Sequence, residues 1–376
     1  MLSKEIQYYI EQHREEAFQL LVELAKIPSP SHHEEKRAAF CKTWLEKQGA
    51  RGVYIDEAIN VIYPYSCTEN DPLVVFMAHS DIVFPDTEEL PLTIKDGRIY
   101  CPGVGDDTAN VVAMLMAVKY IIEHGLKPKI GGLLFVVNSC EEGLGNLKGS
   151  RKIVEVFGSR ITAFFSFDGG SRKITNGAVG SKRYRVEVTT EGGHSYNKFG
   201  NRNAIAYLAS MINTLYSMKV PEKGKTTYNV GTIRGGTSVN TIAQQAEMLY
   251  EFRSDSRDAL MEMDKHFEAA ISFYRTKGVG VNVEMVGERP CMGDVDQEKL
   301  KALVDKAAAA IKDCFNTEPE IKSSSTDCNI PLSVGIPAIS TGCYNGEGVH
   351  TREEFVEIES LLPGLKKAFQ IILDYF

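Results

Sequence analysis

Several absences narrow this sequence before any motif is considered. Its eight cysteines are scattered singly and form no CxxC pair, which fits reduced thiols in the cytoplasm better than a disulfide framework. No stretch of about 18 uncharged apolar residues occurs, so no membrane span is expected. The opening MLSKEIQYYIEQHREE carries charges where a signal peptide needs an apolar core. No basic run or stripe is present and the net charge is −8, which argues against a nucleic-acid partner. HExxH and GxSxG are both missing, removing the single-helix zinc signature and the serine nucleophile of α/β-hydrolases. His33-Glu34 lacks a second histidine and reads as a solvated helix start. CPGVGDD is glycine-rich, but its GxGxxG spacing is incomplete and no Walker lysine follows, so it is a weak nucleotide signal.

The remainder is an ordinary globular composition. The chain has 376 residues, 43% of them hydrophobic and 24% charged, enough for about two domains with cores of their own. Residues 3–49 carry two helical patterns around IPSPS. Phe18, Leu21, Val22 and Ala25 set an apolar face that Pro28 and Pro30 interrupt. LVVFMAH (73–79), GGLLFVVNS (131–139), ITAFFSFD (161–168) and the later GIPAIST are short apolar runs of the kind buried parallel strands show. NVVAMLMAVKYII (110–122) is apolar enough for a buried helix. Strands alternating with helices predict an α/β fold, a mostly parallel sheet flanked by helices.

The texture changes at about residue 181. RYRVEVTT alternates like a half-exposed strand. A helix at about 202–217, strands near 226–234 and 245–253, a helix at about 257–277 and a strand at about 279–288 complete a βαββαβ order. That order predicts an inserted ferredoxin-like α+β domain. The expected division is 1–180 with 290–376 as one domain and 181–289 as the insertion. No internal repeat is detected.

Acidic and histidine residues gather where the apolar strands end, the edge at which open α/β sheets bind ligands. His79 and Asp81 follow LVVFMA, Glu141 and Glu142 follow LLFVVNSC, and Asp168 follows ITAFFSF. Each alone has a plainer reading as a turn or cap residue. Asp106 can cap the following helix, and Thr351-Arg-Glu-Glu354 after His350 resembles a capping box at a helix entry. Together, two histidines and several carboxylates on one edge would repel and desolvate one another without cations. Imidazole and carboxylate without thiolate suit zinc, or cobalt or manganese. Cys140 sits among carboxylates, which raise a thiol pKa, so a structural role is expected of it.

The run His79-Ser-Asp81, Gly103-Val-Gly-Asp106-Asp107, Glu141-Glu142-Gly, Asp168 and a late His350 resembles the M20 family of metallopeptidases, the peptidase T and carboxypeptidase G2-like zinc hydrolases. Gly192-Gly193-His194-Ser195, the run Gly231 to Asn240, and Glu251-Phe-Arg253 match within the insertion. The likeness extends from IPSPS to the last helix. It implies a zinc-exopeptidase-like catalytic domain, two divalent metal ions held by His79, Asp106, Glu142, Asp168 and His350, and Asp106 as the bridge. Spacing alone leaves Asp106 and Asp107 open; alignment to the glycine run favours the first. It also implies a cis bond after this aspartate, Asp81 steadying His79, and Glu141 as general base. His194, from the partner subunit, would be the oxyanion donor. Asn240 and Arg253 would bind the substrate's carboxylate end. The insertion would serve as dimerisation domain or lid in a homodimer. Many relatives carry lysine two positions after the metal aspartate, where this chain has Thr108, which leaves the substrate subclass open. The expected activity is di- or tripeptide hydrolysis. Alternatives are an N-acyl-amino-acid deacylase on the same site and an inactive peptide-binding module.

Overall fold

The computed structural model describes residues 1–129 and 131–376. It divides into two compact units, Met1–Ala178 with Gly293–Phe376, and Val179–Met292.

The first unit is built on an eight-stranded sheet. Its order is Tyr54–Ile55, Val61–Tyr65, Gly132–Asn138, Leu73–His79, Ile161–Ser166, Ala338–Ser340, Lys173–Ala178, Glu320–Ser324. Leu73–His79 runs parallel to both neighbours, Gly132–Asn138 and Ile161–Ser166. Every residue of LVVFMAH and of GLLFVVN is buried. A strand covered on both faces has no polar side to show, which is why these runs read as continuous apolar stretches. The helix Asn110–Glu123 is buried nearly all round, from Asn110 to Ile121.

Three helices, not two, open the chain: Lys4–Gln12, Arg14–Ala25 and Glu35–Lys47. The break falls at His13, whose ring Nδ1 lies 2.8 Å from the Tyr9 carbonyl oxygen while its backbone leaves the helical region (φ −100°, ψ 11°). Apolar periodicity runs through that break, so the pattern alone merges the two. A small antiparallel sheet, in the order Gly346–Glu347, Phe355–Glu357, Arg98–Tyr100, Thr93–Lys95, has no counterpart in the sequence pattern. It pairs Phe355 with Tyr100.

The second unit has the βαββαβ order. Its antiparallel sheet runs Thr226–Gly235, Gln245–Ser254, Gly180–Thr189, Gly280–Arg289, with helices Ala204–Tyr216 and Arg257–Arg275. Alternate residues of Gln245–Ser254 (Ala246, Met248, Tyr250, Phe252) turn inward. They pack with Leu208, Met211, Met263 and Phe267 of the helices in one cluster. The Asn203 side chain caps the first helix by accepting from Ile205 N, and Ser256 caps the second by accepting from Ala259 N. Among the described residues no helix is long and apolar enough to cross a membrane, and all eight cysteines are free thiols.

Candidate metal centre

Three adjacent parallel strands deliver the centre's side chains at their carboxyl ends. His79 is the last residue of its strand and stands opposite Asn138. Glu141 and Glu142 follow Asn138 after a turn in which Cys140 takes a left-handed backbone (φ 58°). That conformation costs a residue with a side chain about 1–3 kcal/mol, and it reverses the chain within one residue. Asp168 lies two residues beyond the end of Ile161–Ser166. Asp106 comes from the turn before Asn110–Glu123, and the Asp106–Asp107 peptide bond is cis.

The side chains converge. His79 Nε2 is 3.1 Å from Asp106 Oδ1, and His350 Nε2 is 3.2 Å from Asp106 Oδ2 and 3.0 Å from Glu142 Oε1. Asp106 thus turns one oxygen to each histidine. Ligand atoms of His79, Asp106, Asp107 and Asp168 lie within 4.8 Å of one another, as do those of His79, Glu141 and Glu142, and those of Asp106, Glu142 and His350. All five side chains named as ligands, and Glu141, are therefore brought together. The two aspartates differ in what they touch. Asp107 is fully buried and turned onto the backbone, accepting from His79 N at 3.0 Å and from Asn110 Nδ2 at 2.6 Å.

Asp81 lies beneath this cluster. His79 Nδ1 is 3.1 Å from the Asp81 carbonyl oxygen and 3.4 Å from its Oδ1. A proton on Nδ1 satisfies both and leaves Nε2 as the nitrogen turned toward Asp106. The Asp81 carboxylate also accepts from Glu141 N and Glu142 N, both at 2.9 Å, and from the Ser31 hydroxyl at 2.7 Å. One buried carboxylate therefore positions a histidine and both glutamates.

Two plainer sequence readings fail. Glu34 is fully buried, not solvated: its Oε1 accepts from Cys140 N at 3.0 Å and from the Cys140 thiol at 3.2 Å. A carboxylate is needed there to satisfy the left-handed turn from inside. The supposed capping box after His350 starts no helix, because residues 351–353 form a turn and Phe355–Glu357 is a strand. Glu354 instead turns inward and accepts from Gly103 N, Gly105 N and Asp106 N at 2.8, 2.9 and 2.8 Å. Sequence reasoning also missed Arg37, whose buried guanidinium donates to the Ser80 carbonyl at 3.1 Å and to Thr108 Oγ1 at 3.0 Å. Thr108 is thereby tied to a buried cation from another helix. Cys140 is fully buried and its thiol is pushed up to about 12, by burial first and then by Glu34 and Asp81, as expected of an inert thiol.

Burial and mutual contact shift the charge of these groups in opposite directions. Burial opposes ionisation of Asp106, yet hydrogen bonds from His350 and His79 hold its carboxyl below the usual range. Burial, the largest effect on Glu142, raises it. His79 loses solvation by burial, but Asp107, Asp106 and Asp81 outweigh that and hold it well above the ordinary imidazole value. Hydrogen bonds to Asp106 and Glu142 raise His350 to about 10. Protons on imidazole are thus the charge balance the chain has of its own. Divalent ions would supply the same balance and use the same lone pairs, so this donor set fits them.

The inserted unit holds the remaining candidates. His194 and Asn240 line one cavity of about 600 Å³, with Arg234, Thr237 and Glu247 also in its wall. His194 Nδ1 accepts from Tyr196 N at 3.3 Å and Asn197 N at 3.4 Å, so a neutral ring carries its proton on Nε2 and offers an N–H donor. Arg253 is elsewhere. It pairs with Glu251 at 3.0 and 3.1 Å, seven residues along the strand from Ala246 of the cavity wall, or about 23 Å at ~3.3 Å per residue. Within one chain, Asn240 and Arg253 are too far apart to grip one carboxylate.

Comparison with known proteins gives a consistent result. The family model described as peptidase family M20/M25/M40 matches residues 75–374. A succinyl-diaminopimelate desuccinylase from Nitrosomonas eutropha is 25% identical over 325 residues, spanning 81% of this chain and 83% of that protein. Among solved structures, a tripeptidase from Staphylococcus aureus superposes with a TM-score of 0.78 at 23% identity, over 96% of this chain and 97% of the other. A dinuclear metal-binding peptidase from Bacillus subtilis superposes with a TM-score of 0.65 at 16% identity, over 97% and 100%. These structural likenesses establish the fold: a catalytic unit with a largely parallel sheet and an inserted ferredoxin-like unit.

Proposed function

Because the chain belongs to peptidase family M20/M25/M40, and is a hydrolase of that family, we propose that it cleaves the amide bond of small peptides as a di- or tripeptide exopeptidase. The observation that carries the reading is Asp106 with one oxygen toward each of His79 and His350, Glu142 and Asp168 beside it and Glu141 adjacent. His79, Asp106 and Asp168 would hold one ion, and Asp106, Glu142 and His350 the other. Two divalent ions there, zinc first and cobalt or manganese as alternatives, supply Lewis acidity and a water acidified toward neutral pH.

The chain's own residues do the rest. Glu141 takes the proton as the water oxygen attacks the amide carbon. It then returns that proton to the nitrogen as the carbon–nitrogen bond breaks, leaving an amine and a carboxylic acid, which ionises by giving the water's remaining proton to solvent or to the amine. His194, with its proton on Nε2, donates to the oxyanion of the tetrahedral intermediate. Asn240 and Arg253 hold the substrate's carboxylate end, where a guanidinium fork suits the geometry.

The separation of Arg253 from the cavity of His194 and Asn240 favours a homodimer in which the partner subunit's His194 and the partner subunit's Asn240 complete each site. The strand Thr226–Gly235 lies at an edge of its sheet, with Ile233 and the nearby Val239 exposed. Such an edge is the kind proteins cover or pair. A cytoplasmic location agrees with the free thiols.

The desuccinylase relative favours a second reading, an N-acyl-amino-acid deacylase on the same residues. A panel of di- and tripeptides and N-acyl amino acids, run with and without chelator on protein of measured metal content, separates the two. Chelator-sensitive turnover of peptides with free amino ends supports the peptidase. Turnover of N-acyl amino acids alone transfers the assignment to the deacylase, and chelator-resistant turnover rejects both.

A further inference from the structure

The contacts of Glu354 extend the two-ion reading, and the role of this residue rests on that reading. Turns with successive inward N–H groups form concavities that bind anions. The turn at 103–106 is such a concavity, and the acceptor in it is the chain's own Glu354, with Oε2 on Gly103 N and Oε1 on both Gly105 N and Asp106 N. The turn is also closely packed. A Cβ at Gly103, where φ is +73°, would stand 2.3 Å from the Ile82 side chain, and one at Gly105 would stand 2.5 Å from the Tyr344 ring. Glu354 is also fixed from behind. Cys101 N donates to its carbonyl at 3.1 Å, and the next residue, Phe355, pairs with Tyr100.

Glu354 lies four residues after His350, on the same short segment. His350 has an exposed side chain and a left-handed backbone (φ 66°), and Thr351 to Glu353 are exposed. The His350 ring meets Asp106 and Glu142 and Arg352 pairs with Asp86, but Glu354 is the residue of that segment bonded to the backbone of the Asp106 turn. We propose that Glu354 is a positioning residue that locks the Asp106 turn to the His350 segment, and so sets the affinity of the ion shared by Asp106, Glu142 and His350. It touches neither substrate nor reacting atoms. It acts through the backbone of Asp106.

The test is calorimetric titration of metal-free protein with Zn²⁺, repeated with Co²⁺ to read each site's visible absorption. Glu354→Gln keeps the size but turns an NH2 group toward at least one of the three N–H donors, which needs an acceptor. It is expected to weaken the second ion 10- to 100-fold, the usual loss for residues behind metal ligands, and the first ion less. Glu354→Asp retains the charge and recovers part of the affinity, and Glu353→Gln on the exposed neighbour changes nothing. Wild-type affinity for both ions in Glu354→Gln, even with a lower unfolding temperature, reduces Glu354 to a fold contact and overturns the inference. If Glu354→Gln is not recovered folded, Glu354→Asp decides by the same titration: a tenfold loss at the second ion supports the role, and parity overturns it. A wild-type protein that takes up fewer than two ions defeats the two-ion reading itself, whatever the variants do.

Discussion

In the unit formed by Met1–Ala178 and Gly293–Phe376, most candidate residues lie at strand ends, with Asp106 and His350 on turns. His79, Glu141 and Glu142 are buried, and Asp81, Asp107 and Glu354 behind them are bonded to backbone N–H groups. In Val179–Met292 the candidates are more open: His194 ends a two-residue strand paired with Thr241–Ile242, just before the exposed Tyr196 and Phe199, Arg253 is half-buried, and residues 231–241 are exposed throughout. The first arrangement is largely pre-organised, with His79, Glu141 and Glu142 fixed by packing and by Asp81 while His350 stays exposed. The second has an accessible donor held by backbone pairing with Thr241 and by two N–H groups on its Nδ1. Physical chemistry assigns the two regions different work. Under the proposed function the first would hold ions before substrate arrives, and the second would contribute once substrate is bound.

Substitutions can break that comparison. The largest effect is expected from Glu141→Gln, which removes the proton carrier. Turnover should fall on the order of 10²–10⁴-fold with both ions retained by elemental analysis; loss of an ion instead would make Glu141 a ligand. His194→Ala should lower kcat by about 10²–10³-fold, the scale of a lost oxyanion donor, with metal content unchanged. A mutant with normal kcat would leave the inserted unit outside the chemistry. Asp81→Asn should cost about 10–100-fold in metal affinity, read by titration, because one carboxylate orients His79 and both glutamates. An unchanged affinity would place the burden on Ser31 and the strand ends alone.

Protonation sharpens the contrast further. In the metal-free protein the two carboxylates raise His350 from 6.5 to about 10. A raised imidazole stabilises the fold fully below the unfolded value and loses that contribution as pH rises through about 10. An ion must displace this proton, so metal affinity should rise with pH across the same window. Titration in two buffers of different ionisation enthalpy should show protons released on uptake, and equal heats would contradict it. The smallest effect on the centre is expected from Val239→Asp on the inserted unit, which should shift sedimentation toward monomer while leaving two ions bound. A variant that stayed dimeric would clear that surface of an interface role.

The sequence revealed the centre because fully buried strands announce themselves as apolar runs, and the residues that end them are easy to read. His79, Glu141, Glu142 and Asp168 all follow such runs. The supports behind them left weaker traces. Glu354 imitates a helix cap because Thr351 and Glu354 have the spacing of one, and its partners lie about 250 residues upstream. Arg37 belongs to a helix of mixed charge, where a lone arginine is ordinarily solvated; only the fold reveals the carbonyl groups it reaches. The small sheet escaped because strands of two or three residues have no periodicity to detect. Asp106 and Asp107 are adjacent and chemically alike, and only contacts separate the one turned to both histidines from the one turned to the backbone.

Anomalous diffraction from crystals equilibrated with Zn²⁺ or Mn²⁺ tests the central claim most directly. Two peaks are predicted, one near His79 and Asp168 and one near Glu142 and His350, each about 2.0–2.2 Å from a different oxygen of Asp106. A single peak, or two peaks that do not share Asp106, would contradict the account.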